Sequence, residues 1–185
     1  MMIFKSQRIG LASFTVLVIG FIGLSSLSYP LYASSIEISG IYSASLSGDA
    51  EVPDVNTQAT GEANFESDAK AAAAGGAAAA ASSASRLSYS VNVQDIDEII
   101  AAHIHMGKSD ENGPIIVTLF NPDTPTGEIN GELVSGTITS QNLEGPMQGK
   151  QLSDLIDLFD AGDAYVNVHT ETNPNGEIRG TIQQG

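Results

Sequence analysis

All three histidines of this 185-residue chain sit in two short strand-like segments: His103 and His105 within residues 101–107, and His169 within residues 165–170. On a β-strand, residues i and i+2 face the same side. His103 and His105 therefore project together, roughly 7 Å apart along a backbone that rises about 3.3 Å per residue. If the strand carrying His169 lies alongside, three imidazoles converge on one spot. Neutral imidazole suits copper, zinc, iron or nickel, and a three-histidine set leaves a fourth position open for water or a small molecule. The competing reading is buried strand histidines bonded to backbone carbonyls or carboxylates. His103, His105 and His169 are the candidate metal ligands, and one copper or zinc ion is the cofactor they would take.

Arg179, in the run Gly-Glu-Ile-Arg-Gly, is the candidate contact for an anion or substrate near the histidines. The plainer alternative is a structural ion pair with one of the many carboxylates. Asn167, between two valines, is expected to face away from His169 and to bond backbone or an adjacent loop. No catalytic residue is identified. The sequence holds no nucleophile elbow, no phosphate-cradling glycine loop and no paired carboxylates in a supporting pattern. Asp95, Asp97 and Glu98 form an acidic cluster before the first histidine strand, without the spacing of a calcium loop.

The elements that must position these side chains are strands. Short alternating segments rich in Gly, Thr, Val and Ile, bounded by turn residues, read as all-β. Strands are expected over 36–46, 60–66, 86–93, 99–105 and 115–120, with a polar turn-rich loop over 107–114. Leu87, Tyr89, Val91 and Val93 share one face and, with Val117 and Leu119, should form the core. The run 126–133 echoes 175–182, each following an Asn-Pro turn, and a weaker copy begins at Thr60. These read as repeated hairpin starts, and the second glycine of each full copy suggests a bulge or a close backbone approach. Leu152, Leu155, Ile156 and Phe159 follow helical spacing, with Ser153 as the expected cap and Gly162 as the stop. Residues 69–85, Ala-rich around Gly75-Gly76, read as a long insertion within a hairpin.

Composition bounds the rest. Residues 1–33 have the layout of a secretory signal: Lys5 and Arg8, an apolar run, a breaker at Pro30 and a small residue at Ala33. An uncleaved membrane anchor is the alternative, because the apolar run nears spanning length. Either way the remainder is expected outside the cytoplasm, secreted or at the cell surface. There is no cysteine, so disulfides and thiolate metal sites are excluded. All 22 acidic residues lie beyond Ala33 against five Lys and Arg, a net charge of −17. Such a surface repels nucleic acid and anionic lipid. The expected partner is an extracellular protein or a small molecule, with membrane contact only through an uncleaved leader.

Three long runs, in order, carry a resemblance. Leu46-Ser47-Gly48-Asp49-Ala50-Glu51-Val52-Pro53 resembles the opening motif of CHRD domains, the repeat first named from chordin. Ala102-His103-Ile104-His105, with Gly107 and then Asn112-Gly113-Pro114 and the apolar run to Phe120, resembles the middle. The run from Gly162 through Tyr165 and His169 to Asn175-Gly176-Glu177-Ile178-Arg179-Gly180 resembles the closing signature. The domain is assigned to residues 36–183. The resemblance implies an exported protein without an established activity, acting as a binding or structural module rather than an enzyme. Growth-factor binding is not implied, since in chordin it is ascribed to cysteine-rich modules. The order His103, His105, His169, Arg179 is also similar to that of the copper ligands and guiding arginine of copper–zinc superoxide dismutases, which are β-sandwiches. With no bridging histidine, zinc loop or disulfide, that similarity implies a lone three-histidine site, possible redox chemistry on a small molecule, and an antiparallel β-sandwich of immunoglobulin or superoxide-dismutase kind with one short helix.

Overall fold

A computed structural model of the chain describes residues 40–68 and 86–185. The expected leader over 1–33 and the Ala-rich run over 69–85 lie outside these residues. Among the described residues, nine antiparallel strands follow in order: β1 (Gly40–Ser47), β2 (Thr60–Ser67), β3 (Leu87–Ile96), β4 (Ile99–Met106), β5 (Ile115–Phe120), β6 (Ile129–Ile138), β7 (Ala164–Thr170), β8 (Ile178–Thr181) and β9 (Gln183–Gln184). A helix, α1 (Leu152–Ala161), precedes β7. Among the described residues no helix is long and apolar enough to cross a membrane.

The strands form one sheet in the order β5-β4-β7-β8-β1-β2-β3-β6, with β9 beside β1. The outer strands β5 and β6 meet, so the sheet nearly closes on itself. The Tyr89 hydroxyl on β3 reinforces the closure by donating to the Leu119 carbonyl on β5, at 2.9 Å. The result is the expected all-β, sandwich-like architecture, rolled towards a barrel. Alternation explains its core: Leu87, Val91, Val93, Ile104, Val117, Val166 and Val168 are all buried on the inner side. Tyr89 is only partly buried, because its hydroxyl must stay at the rim.

Helix α1 closes the barrel interior with Leu152, Leu155, Ile156 and Phe159, as their spacing predicts. Phe159 packs edge-on to Tyr42 (5.4 Å between ring centroids) and against Phe65 (5.3 Å). Gly162 ends the helix at φ 69°, a conformation that costs a Cβ-bearing residue energy. The cap differs from expectation. Gln151 occupies the N-cap position and its backbone N–H donates to Asp154 at 2.8 Å, which leaves Ser153 inside the first turn.

The two glycines that repeat in the echoed runs serve different ends. Gly131 sits at φ 145° where the β3–β6 ladder shifts register. Gly180 brings its backbone so close to β1 that a Cβ there would lie 2.1 Å from the Ser45 carbonyl oxygen. The β2–β3 hairpin pairs Ser67 with Leu87, so the 69–85 segment joins two paired strands.

Candidate metal centre

Strand β7 lies between β4 and β8, and the register places one polar patch on the outer face of these three strands. Ala101 pairs with His169, His103 with Asn167, and His105 with Tyr165. Across the other ladder, Asn167 pairs with Arg179 and Tyr165 with Thr181. Directly paired residues share a face, so His103, His105, Tyr165, Asn167, His169 and Arg179 all project outward together. The intervening Ala102, Ile104, Val166 and Val168 point into the core. Asn167 therefore faces the same side as His169. The expectation that it faces away fails because two residues along a strand is one full period.

The three imidazoles do converge. Each offers a ring nitrogen, and these atoms all lie within 4.8 Å of one another. Ring centroids are 5.0 Å apart for His103 and His169, and 5.7 Å for each of the other two pairs. The β4–β5 ladder shifts register immediately before each histidine of the pair, between Ala102 and His103 and between Ile104 and His105. Such irregularities re-aim side chains.

The loops settle which nitrogen faces the centre. His105 Nδ1 lies 2.9 Å from the Gly113 carbonyl, and His169 Nδ1 lies 3.2 Å from the Pro174 carbonyl. A carbonyl can only accept, so both Nδ1 atoms carry the proton and both Nε2 atoms carry a lone pair. Those two Nε2 atoms and His103 Nδ1 are buried without a hydrogen-bond partner among the described residues. Each histidine thus contributes one orphaned nitrogen.

Burial also keeps the rings neutral. It lowers the pKa of all three, taking His169 to about 4 with help from His103 and His105 and against the pull of the Pro174 carbonyl. For His103 the proximity of His105 adds to burial, and Glu144 opposes. For His105 burial comes first and the Arg179 guanidinium adds to it, while the Gly113 bond opposes. Neutral imidazole is the form that binds a metal ion.

Arg179, the candidate anion contact, is 1 % exposed. Its Nε donates to the Ala50 carbonyl at 2.6 Å, Nη1 to the Glu111 carbonyl and to Asn112 Oδ1, and Nη2 to the Ser109 carbonyl. The guanidinium also lies 4.5 Å from the centroid of the Tyr165 ring, which stacks on His105 at 5.1 Å with 9° between planes. These bonds commit Arg179 to tying the 48–52 and 108–113 loops over the sheet. They also fix the ring that His105 leans on. Asn112 Nδ2 donates to the Val52 carbonyl at 2.7 Å, joining the same two loops. At Gly113 a Cβ would fall 1.5 Å from the Met106 carbonyl oxygen, so only glycine fits there and brings its own carbonyl to His105.

Sequence reasoning missed three neighbours. Tyr165 was legible by the same two-residue period as His169. Glu51 is 6 % exposed, its Oε1 has no partner among the described residues, and burial pushes it up to about 7 against Arg179 and Asn167. Glu144, whose charge His103 feels, comes from a loop that no local pattern connects to the histidines.

A CHRD domain model matches residues 42–182. No curated protein and no solved structure matches the chain. The matched span includes every strand that builds the histidine cluster and the loops that cover it, and on that basis the chain belongs to the CHRD domain family.

Proposed function

We propose that this CHRD domain is an exported metal-binding module. It holds one copper or zinc ion on His103, His105 and His169. One observation carries the reading: three converging imidazoles, each with one buried nitrogen that no described residue satisfies. A buried polar atom without a partner costs on the order of 1–3 kcal/mol, and folded proteins rarely tolerate three together. A metal ion satisfies all three at once. The carbonyls of Gly113 and Pro174 supply the supporting bonds that orient ligating histidines. The donor set is all nitrogen, which suits copper(II) and zinc and gives no preference to calcium or magnesium. Three protein ligands leave a position for a small exogenous molecule, the arrangement of a reactive rather than a closed structural site. Export is supported by the leader-like composition of residues 1–33 and by the strongly acidic remainder.

The test is metal content. The untagged protein is purified, loaded with copper(II) or zinc, passed through a desalting column and analysed by elemental mass spectrometry. The same is done for His105→Ala and His169→Ala, with circular dichroism to verify folding. One equivalent in the parent and none in either variant is the expected result. A folded parent that retains no metal after loading would refute the metal reading and leave a scaffold for protein contacts.

A further inference from the structure

The histidine cluster is enclosed on the β7–β8 side by the loops that Arg179 ties down, but His103 is only half-buried. On the opposite, β5 side runs a short segment from the loop that precedes α1. Leu143 forms an isolated antiparallel bridge to Val117, and the Glu144 N–H donates to the Ile116 carbonyl at 2.9 Å. Residues 143 and 144 thus flank β5 on the side away from β4. Thr118 of β5 is the direct register partner of His103, and its hydroxyl donates to Glu144 Oε1 at 2.7 Å. The carboxylate is held on the histidine face by a neighbour of His103. It is not a member of the group whose donor atoms lie within 4.8 Å of one another, which places it outside the ligand set.

Resting on the three-histidine reading, we propose that Glu144 is the outer carboxylate of the metal site. It accepts a hydrogen bond from a small neutral protic ligand in the open position: water, or an alcohol or hydroperoxide of similar size. Two consequences follow from its charge and its bond. A hydroxyl-bearing ligand gains an acceptor held in place by Thr118, and preorganised acceptors cost nothing to orient when the ligand arrives. An anion in the same position meets a fixed negative charge. Arg179 keeps its positive charge, but its N–H donors go to loop oxygens, so it offers such an anion no hydrogen bond. Glu144 therefore biases the open position towards neutral molecules and against anions.

The probe is azide on the cobalt(II)-loaded, untagged full chain, whose visible absorption reports the coordination sphere. Removing a unit charge from the outer sphere in Glu144→Gln should tighten azide binding about five- to tenfold. Thr118→Val, which frees the carboxylate from its tether, should tighten it at least about twofold in the same direction. Glu66→Gln, on β2 and three strands from β7, should leave it unchanged. Equal azide affinity in the parent and Glu144→Gln at equal cobalt occupancy would overturn the assignment. If Glu144→Gln does not fold, equal affinity in the parent and Thr118→Val would do so. A parent chain that never develops cobalt absorption fails earlier and refutes the three-histidine reading itself.

Discussion

The metal-free protein should lose stability in acid, with one buried carboxyl blunting the loss that its buried histidines cause. His169 has its pKa lowered from 6.5 to about 4 by burial. A base with a depressed folded pKa contributes stability above its unfolded pKa and loses it as pH falls from 6.5 to 4. That amounts to about 3 kcal/mol, because moving a pKa by one corresponds to about 1.4 kcal/mol. His103 and His105 are displaced in the same direction. Glu51 is the counterweight, its pKa raised from 4.5 to about 7. An acid with a raised folded pKa destabilises the fold when ionised, so its contribution is present below pH 4.5 and lost as pH rises to 7. That is again about 3 kcal/mol at most. Urea denaturation of the chelator-treated protein at fixed pH values between 7.5 and 4 separates the two. Relative to the parent, Glu51→Gln should lose about 3 kcal/mol as the pH falls through this range, and His169→Gln should gain a similar amount. Profiles of both variants that run parallel to the parent would show that neither group is held as its surroundings dictate.

Three further outcomes follow. Zinc affinity, measured by calorimetry, should fall between pH 7.5 and 5.5 by far less than the roughly thousandfold that three ordinary imidazoles would show, because protons compete poorly for depressed sites; a thousandfold loss would mean the rings are solvated. Arg179→Ala should cost at least about 3 kcal/mol in urea denaturation, since the carbonyls of Ala50, Ser109 and Glu111 lose a buried donor. The same variant should lose amide protection over 48–52 and 108–113 by hydrogen exchange, and a cost under about 1 kcal/mol would remove Arg179 from its tying role. Phe159→Ala, emptying the space against Tyr42 and Phe65, should cost about 3–5 kcal/mol and leave metal content unchanged in whatever fraction folds.

What the sequence made legible were the strands and the pairs that obey a short period. The alternation from Leu87 to Val93 located β3 and its inner face, and the spacing of Leu152, Leu155, Ile156 and Phe159 located α1. The two-residue period put His103 beside His105, and the same period, applied to Asn167, would have placed it correctly. The order of strands was not legible. β8 enters between β7 and β1, and β4 joins β7 across the whole intervening chain, because such pairings are decided by the closure of the sheet and not by neighbours in sequence. Glu144 and Glu51 were invisible for a related reason. Each reaches the histidine face from a loop, and its relation to the site exists only once β5 and β8 are in place.

That non-local assembly also explains why the cluster is rigid enough to matter. Three imidazoles on adjacent strands could satisfy their nitrogens by rotating towards water, and at a bare sheet surface they would. Here His105 is clamped between Tyr165 and the Gly113 carbonyl, and His169 is held by Pro174 in a loop that Glu177 fastens to Thr57, Thr170 and Asn173. The loops prevent the rotation that would rescue the orphaned nitrogens. A fold selected only for stability would fill this space with apolar side chains, as it does one residue away on the inner face. Keeping three lone pairs dry, neutral and mutually aimed is a cost that the folded state bears without a metal ion and, on the proposed reading, would recover with one bound.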